Sequence, residues 1–314
     1  MTEEMPGSDI TYAVTASPNF AQDGICFAAQ RSGLYRSIDG GITWNMAYES
    51  LNLTAPLLTM SVVVSPNFAS DRTVFAGVAG GILRSFDGGE TWDVIHFPSP
   101  PPLVSALVIS PDYDRDGVLL AGTVEDGIFS SSNRGGNWTA WNFGLLDLNI
   151  ICLTISKTFS EDETLFAGVD SGIFRSTNGG RAWREVDFPI DLAPVLSLAL
   201  SPNYRNDGTL FAGTESQGLY HSVDNGRNWI RIGEEDIPDT VNALLLSPEF
   251  PDKGDILTLI HDKLLLSEDS GQSWSELKAG AALAENMVCL AAPQGFDPNA
   301  SLLIGLAEGG VVSI

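Results

Sequence analysis

Residues 33–44 read Gly-Leu-Tyr-Arg-Ser-Ile-Asp-Gly-Gly-Ile-Thr-Trp, and this stretch decides the fold. Its Ser-x-Asp-x-Gly core is typical of a tight turn, because short side-chain oxygens accept from backbone amides and glycine tolerates positive φ. Related stretches, called boxes below, run from serine to tryptophan at 37–44, 85–92, 131–138, 176–183, 222–229 and 267–274, and hold six of the seven tryptophans. We expect each ring to tuck against its turn, so that the boxes are structural. Their defining residues are Asp39, Trp44, Asp87, Trp92, Asn133, Trp138, Asn178, Trp183, Asp224, Trp229, Asp269 and Trp274.

A second motif precedes each box at a constant distance. Ser17-Pro18-Asn19-Phe20 recurs in related form at 65, 110, 156, 201 and 247, and weakly at 292. Successive copies are separated by 45 to 48 residues. Equal spacing over the whole chain indicates a repeat protein, with no room for a second domain.

Four short β-rich runs occur in each repeat, for example within 58–97. Four short strands cannot bury both faces alone, so each sheet has to stack on its neighbours until the ring closes. The sequence therefore predicts an all-β chain that forms one seven-bladed β-propeller of four-stranded antiparallel blades. The repeats are placed at about 9–50, 57–98, 103–145, 149–190, 193–234, 239–279 and 284–314. The last stops after a third strand, so that blade is either incomplete or closed by residues 1–8.

Composition restricts the partners. Forty acidic and 16 basic residues give a formal charge of -24, which repels phosphate backbones and argues against nucleic acid. No apolar run is long enough to insert into a membrane. The first residues lack a secretory signal, so we expect a cytoplasmic protein, or a secreted one if a leader was removed. The three cysteines, each in an apolar stretch, are interpreted as core residues.

The box at 33–44 and its copies resemble the BNR or Asp-box repeat over nearly the full chain. That resemblance implies the propeller fold but does not specify a function. The repeat occurs in sialidases, xyloglucanase-type glycoside hydrolases, sortilin-type sorting receptors and photosystem II assembly factors. Sialidases also need an arginine triad opened by Arg-Ile-Pro, which does not occur here. Xyloglucanase-type enzymes place paired carboxylates between two propellers, and this chain has one. Sorting receptors add cysteine-rich modules and a membrane span, while assembly factors are single propellers with a typically basic partner face.

Catalytic residues are not evident in the sequence. The three histidines, His96, His221 and His261, fall in different repeats, and neither a triad nor a metal-ligand spacing emerges. We interpret His221 as solvent-facing and His261 as a loop residue that could face the central channel. The repeated aspartates are interpreted as turn residues. We therefore expect no catalytic residue, no metal and no cofactor, although an enzymatic role stays open.

The variable loops form the candidate site. Both repeated turns lie at one end of the strands, so the opposite face is built by the loops between the second and third strands and by the links between blades. This loop face carries mainly acidic residues, interpreted as a solvated rim or as a surface for a basic partner or a cation. The candidate partner-binding residues are Arg31, Glu125, Asp126, Asp170, Glu215, His261, Asp262, Glu308, Pro100, Pro101 and Pro102.

The links between blades are apolar and rich in proline, as in 51–53, 97–103, 143–146 and 188–190. Such residues either wedge between blades or form a docking surface. We expect Pro100 to Pro102 to form a stiff, exposed segment of the kind that other proteins bind. We expect a non-catalytic scaffold that docks a protein partner, basic in character. The alternative is a carbohydrate-binding or glycoside hydrolase-like propeller, with Trp141 stacking on a glycan.

Overall fold

The protein is described by a computed structural model that covers residues 9–97, 101–190, 193–261, 263–277 and 286–314. Seven antiparallel sheets follow one another along the chain. Blade 1 contains β1 (Thr11–Ala16), the short helix α1 (Phe20–Asp23), β2 (Cys26–Gln30), β3 (Gly33–Ser37) and β4 (Asn45–Met46). Its strands pair in sequence order, from the innermost strand β1 to the outermost strand β4. A 3-10 turn, Glu49–Leu51, follows in the link to the next blade.

The next five blades repeat this four-stranded plan. Blade 2 has β5 (Thr59–Val64), α2 (Phe68–Asp71), β6 (Val74–Val78), β7 (Gly81–Ser85) and β8 (Asp93–His96). Blade 3 has β9 (Leu103–Ile109), α3 (Tyr113–Asp116), β10 (Leu119–Val124), β11 (Ile128–Ser131) and β12 (Thr139–Ala140). Blade 4 has β13 (Ile150–Ile155), α4 (Phe159–Asp162), β14 (Leu165–Val169), β15 (Gly172–Ser176) and β16 (Arg184–Glu185). Blade 5 has β17 (Val195–Leu200), α5 (Tyr204–Asp207), β18 (Leu210–Thr214), β19 (Leu219–Ser222) and β20 (Ile230–Ile232). Blade 6 has β21 (Ala243–Leu246), β22 (Ile256–Ile260), β23 (Lys263–Ser267) and β24 (Ser275–Glu276).

Blade 7 has three strands among the described residues, β25 (Met287–Ala291), β26 (Leu303–Leu306) and β27 (Val311–Ser313). The prediction of a seven-bladed propeller with a shortened last blade is therefore confirmed. A fourth strand contributed by residues 1–8 lies outside the described residues. The ring closes where blade 1 meets blade 7: Thr11 Oγ1 donates to the Gly310 carbonyl at 2.9 Å, and Cys289 Sγ lies 3.4 Å from the Thr11 carbonyl oxygen.

The hydrophobic core lies between the blades. Every residue of β2 is buried, because neighbouring blades cover both faces of this strand. The aromatic residue of the second strand packs edge-on against the first residue of the next blade's helical turn, as Phe27 does on Phe68 with ring centroids 6.5 Å apart. Phe75 meets Tyr113 and Phe166 meets Tyr204 in the same way. The repeated Phe or Tyr of the first motif therefore joins successive blades.

The first repeated motif forms a closed polar turn. Ser17 Oγ donates to Asp23 Oδ2 at 2.7 Å, and Asp23 Oδ1 accepts from the Ile25 amide at 2.9 Å. Gly24 ends α1 with a φ of 61°, and its carbonyl accepts from the Gly40 amide of the box at 3.0 Å. This last bond places both repeated turns at one face of the propeller, as expected.

Candidate functional site

The boxes are self-contained turns. In blade 1, Ser37 Oγ donates to Asp39 Oδ1 at 2.8 Å and accepts from the Gly41 amide at 2.9 Å. Asp39 Oδ1 also accepts from the Thr43 amide at 2.9 Å. These hydrogen bonds, led by those from Thr43, lower the pKa of Asp39 to about 2. The carboxylate is fully engaged in its own turn, which supports a structural role.

Three further boxes behave alike, and two use a neutral residue. The pKa values of Asp87, Asp224 and Asp269 are also lowered to about 2, by the hydroxyl, amide and backbone donors of their own turns. In blades 3 and 4 the amide oxygens of Asn133 and Asn178 accept instead, from Ser131 and Ser176. A negative charge is therefore not required for the turn to form.

Five of the six box tryptophans donate their indole N–H in one of two ways, and Trp274 Nε1 has no partner among the described residues. Trp44, Trp138 and Trp229 donate their indole N–H to a glycine carbonyl of their own box at 3.0 to 3.2 Å, as expected. Trp92 and Trp183 instead donate to the preceding blade, at the carbonyls of Ala47 and Trp141. The indole N–H of these two tryptophans therefore joins adjacent blades, because the ring lies at an interface between them.

The loop face has the predicted composition. Its exposed loop residues between second and third strands are Arg31, Glu125, Asp170, Glu215, His261 and Glu308, and Asp126 is half-buried. Backbone bonds tie these loops to the preceding links, for example from Arg31 N to Ile10 O and from Glu215 N to Pro194 O. Loops and links therefore form one continuous surface, but the acids are distributed around it, and among the described residues no three His, Cys, Asp or Glu side chains could hold a metal ion.

His261 lies in a loop, as predicted, with a φ of 46°. Its Nε2 atom is 4.0 Å from Asp239 Oδ2, and the side chain is exposed. Asp262, the neighbouring candidate, lies outside the described residues. His221 corrects the interpretation as a solvent-facing residue: its ring stacks on Phe211 at 4.4 Å, and burial lowers its pKa.

The proline run is less exposed than expected. Pro101 is exposed, but Pro102 is buried and its carbonyl accepts from the Gly80 amide at 2.9 Å. Pro100 lies outside the described residues. The expectation of a fully exposed segment is therefore wrong at Pro102, because this residue pairs with the neighbouring blade at the start of β9.

The apolar links divide between the two interpretations. Phe97 and Phe188 wedge between blades, the first on Phe129 at 4.7 Å and the second on Tyr220 at 5.1 Å. Leu146, by contrast, is 79% exposed and Leu148 is 37% exposed. The link before β13 therefore contributes exposed apolar side chains to the loop face. We call Glu125, Asp126, Leu146, Leu148 and Asp170 the loop-face patch.

Sequence reasoning missed an acidic groove between blades 5 and 6. It has a volume of about 580 Å³ and is lined by Glu235, Asp236, Asp239, Glu276 and Trp274, together with His261. The run at 234–239 is the available sequence signal, since it concentrates four carboxylates in one link. The links that stand out in the sequence are apolar and rich in proline, whereas this one is acidic.

The cysteines behave as core residues. Burial raises the pKa of Cys26, Cys152 and Cys289 to about 12, and no disulfide joins them. Thiols with so high a pKa are poor nucleophiles and metal ligands at neutral pH. In the part of the chain that the structure describes, no helix is long and apolar enough to cross a membrane.

Fold and boxes together define a seven-bladed Asp-box β-propeller. The BNR/Asp-box repeat family model matches residues 35–46, which contain the box of blade 1. Comparison with curated protein sequences gives no significant match.

Solved structures share the fold at low identity. A GH74 xyloglucanase from Xanthomonas campestris is 19% identical with a TM-score of 0.75, over 99% of this chain and 52% of that one. The extracellular domain of a one-component system from B. thetaiotaomicron is 13% identical with a TM-score of 0.72, over 98% of this chain and 38% of that one. YCF48 bound to a D1 peptide is 17% identical with a TM-score of 0.71, over 99% and 93%. The chain thus spans about half or less of the first two structures and nearly all of the third.

Proposed function

We propose that this chain is a non-catalytic scaffold that docks a protein partner through the loop face of the propeller. The observation that carries the proposal is the loop-face patch, where Leu146 and Leu148 lie exposed next to the acidic loops. Exposed aliphatic groups beside fixed charges are typical of protein interfaces.

The patch is held in place by hydrogen bonds. Between the two leucines, Asp147 Oδ2 accepts from the Ser171 amide at 2.9 Å. Asn149 Nδ2 donates to Asp170 Oδ2 at 2.6 Å, and the Leu148 carbonyl accepts from the Gly127 amide. A link that is already ordered loses little conformational entropy when a partner binds, so its apolar area contributes more fully to affinity.

Charge indicates the character of the partner. Glu125, Asp126 and Asp170 make the patch acidic, and the whole chain carries a formal charge of -24. Such a field attracts basic surfaces and speeds their association, an effect that weakens as salt increases. A basic protein partner is therefore the expected ligand.

One structural neighbour supports the class of function. YCF48 was solved with a D1 peptide bound, and this chain covers 93% of that propeller. At 17% identity this similarity is one of fold, so it supports peptide or protein binding by a single propeller and carries no partner across.

The test compares two variants of equal charge in affinity capture from native lysate. The loop-face variant combines Leu146→Ser, Glu125→Gln, Asp126→Asn and Asp170→Asn. The control combines Ile42→Ser with Asp114→Asn, Asp252→Asn and Glu268→Gln on the box face. It removes one exposed apolar side chain and three carboxylates, as the loop-face variant does. Identified proteins are then purified and titrated against all three forms.

The proposal expects a protein that wild type and control bind alike and that the loop-face variant binds more than about tenfold less tightly. Equal binding by all three forms would remove the loop face as the docking surface. Equal loss from both variants would assign the effect to net charge instead.

A carbohydrate-handling propeller is the second candidate, because of the xyloglucanase neighbour and Trp141. Trp141 is half-buried, its backbone amide donates to the Ile128 carbonyl and its carbonyl accepts from the Trp183 indole, so its backbone is fixed while part of its side chain stays exposed. Glycan-array binding or release of reducing sugar from xyloglucan, lost in Trp141→Ala, would favour this candidate over the scaffold.

A further inference from the structure

A groove of about 590 Å³ lies between blades 4 and 5, near their boxes. Its lining includes Arg175, Arg184, Arg227, Trp183 and Phe143, together with two exposed carboxylates, Glu185 and Asp187. Three arginines around one groove are notable in a chain where acidic residues outnumber basic ones 40 to 16.

The other blades give an internal reference for this arrangement. Arg36 and Arg84 occupy the position of Arg175 in blades 1 and 2, and each meets a carboxylate. Arg36 pairs with Glu90 in the box of the next blade at 3.7 Å, while Arg84 pairs with its cross-strand neighbour Asp93 at 3.2 Å. The carboxylate that neutralises an arginine at this position therefore comes from the box of the next blade or from the cross-strand neighbour.

In blade 4 both of those places hold arginine. Arg184 is the cross-strand neighbour of Arg175, where blade 2 has Asp93. Arg227 follows Gly226 in the next box, where blade 2 has Glu90 after Gly89. Across the described ranges none of the three guanidinium groups forms an ion pair with a carboxylate. The two places that neutralise the equivalent arginine in blades 1 and 2 therefore add positive charge beside Arg175.

The groove also has a fixed guanidinium and an apolar edge. Arg175 Nη1 donates to the Asn225 carbonyl at 3.0 Å, and its guanidinium carbon lies 5.6 Å from the centre of the Phe166 ring. Its Nε atom is buried and has no partner in the described residues. Phe143 is 79% exposed on the same lining.

We propose that this groove is a second docking site and that it takes an acidic peptide segment carrying an apolar side chain. Arg184 and Arg227, both exposed, bind the carboxylates of the segment, and guanidinium groups suit this role because they donate two parallel hydrogen bonds. The apolar side chain packs on Phe143. The site differs from the loop-face patch in its lining residues and in its arginines, and the variants that test the two proposals share no residue.

The net charge of the chain does not prevent such binding. Carboxylates outside the groove are screened at physiological ionic strength, where the Debye length is about 8 Å. The guanidinium groups act at contact and outnumber Glu185 and Asp187 in the lining. The probe is a fluorescent peptide of alternating glutamate and leucine, titrated at physiological salt and followed by anisotropy. A lysine and leucine peptide of equal length reports on binding to the acidic surfaces.

The decisive variant installs the residues of blade 2: Arg184→Asp with Arg227→Glu. It supplies Arg175 with the partners that its equivalents have, so the fold is expected to be retained. The control is Arg181→Glu with Arg205→Glu, which makes the same change in charge at exposed arginines that pair with Glu163 and Glu161. Phe143→Ser distinguishes a peptide ligand from a small anion, because an aromatic ring does not contribute to the affinity for inorganic phosphate.

The proposal expects the acidic peptide to bind the wild type, with affinity more than about tenfold weaker for the groove variant and changed less than about threefold in the control. Phe143→Ser should weaken the binding of the peptide and leave the binding of phosphate unchanged. No peptide binding by the wild type, equal losses in both double variants, or binding of phosphate alone would each overturn it.

Discussion

At the scale of single residues, the glycine at the fifth position of the blade 2 box, Gly89, is fixed by two separate requirements. Gly89 has a φ of 88°, where side chains with a Cβ are strained, and a Cβ there would lie 2.7 Å from Phe27 in the preceding blade. Its neighbour Gly88 has a similar φ of 81°, but a Cβ would meet no atom closer than 3.5 Å. Of these two glycines, only Gly89 is needed for blades 1 and 2 to pack as closely as they do.

We predict that Gly89→Ala destabilises the protein more than Gly88→Ala. Both substitutions bear the positive-φ cost of about 1 to 2 kcal/mol. Gly89→Ala adds overlap with the Phe27 ring, a further cost of about 1 to 3 kcal/mol. Urea unfolding of both variants measures the difference, and equal midpoints would show that the blades do not approach at this glycine as closely as described.

At the scale of the element, the box is a turn in which hydrogen bonds to one carboxylate set its pKa. The pKa of Asp87 and of Asp224 is about 2 in the folded protein, below the value of about 3.9 in an unfolded chain. A lowered folded pKa means that the ionised form is favoured by folding. The resulting stability is present above about pH 4 and is lost as the pH falls towards 2.

We therefore predict that Asp87→Asn with Asp224→Asn flattens the acid limb of the stability curve. Asn133 and Asn178 occupy the same position in blades 3 and 4, so the turn itself tolerates the amide. Thermal melts between pH 6 and about pH 2 should show a smaller fall in Tm for the variant than for the wild type. Parallel curves would mean that these carboxylates do not contribute to the acid sensitivity.

At the scale of the whole molecule, the last interface closes the ring in the same way as the internal ones. A Cβ at Gly305 would lie 2.6 Å from Thr11 of blade 1, just as a Cβ at Gly122 would lie 2.4 Å from Ile150 of blade 4. Both glycines lie in the second strand of their blades and face the first strand of the next. A closed ring makes these interfaces equivalent, whereas an open array would leave its ends free.

We predict that Gly305→Val and Gly122→Val lower the free energy of unfolding to a similar extent, within about 1 kcal/mol. Chemical denaturation measures this, with the radius of gyration from X-ray scattering as a check that the rings remain closed. A harmless Gly305→Val beside a damaging Gly122→Val would contradict closure between blades 1 and 7.

Site residues could be located from the sequence only in part. The repeats placed Glu125, Asp170 and Glu215 in loops between second and third strands, because a constant spacing fixes which residues vary at which turn. The repeat spacing did not predict which side chains of the links between blades are buried. Leu145 is buried and Leu146 is exposed, although both are leucines of one link, because exposure depends on how the link lies over the next blade.

The sequence by itself determined the number of blades, the order of their strands and the face on which both repeated turns lie. It could do so because these properties follow from local turn chemistry repeated at a fixed interval. Only the tertiary structure decided that Trp92 and Trp183 bind the preceding blade, that His221 stacks on Phe211, and that Arg184 and Arg227 lie around Arg175. These contacts join residues from different strands or blades, and their geometry depends on how the blades pack against one another.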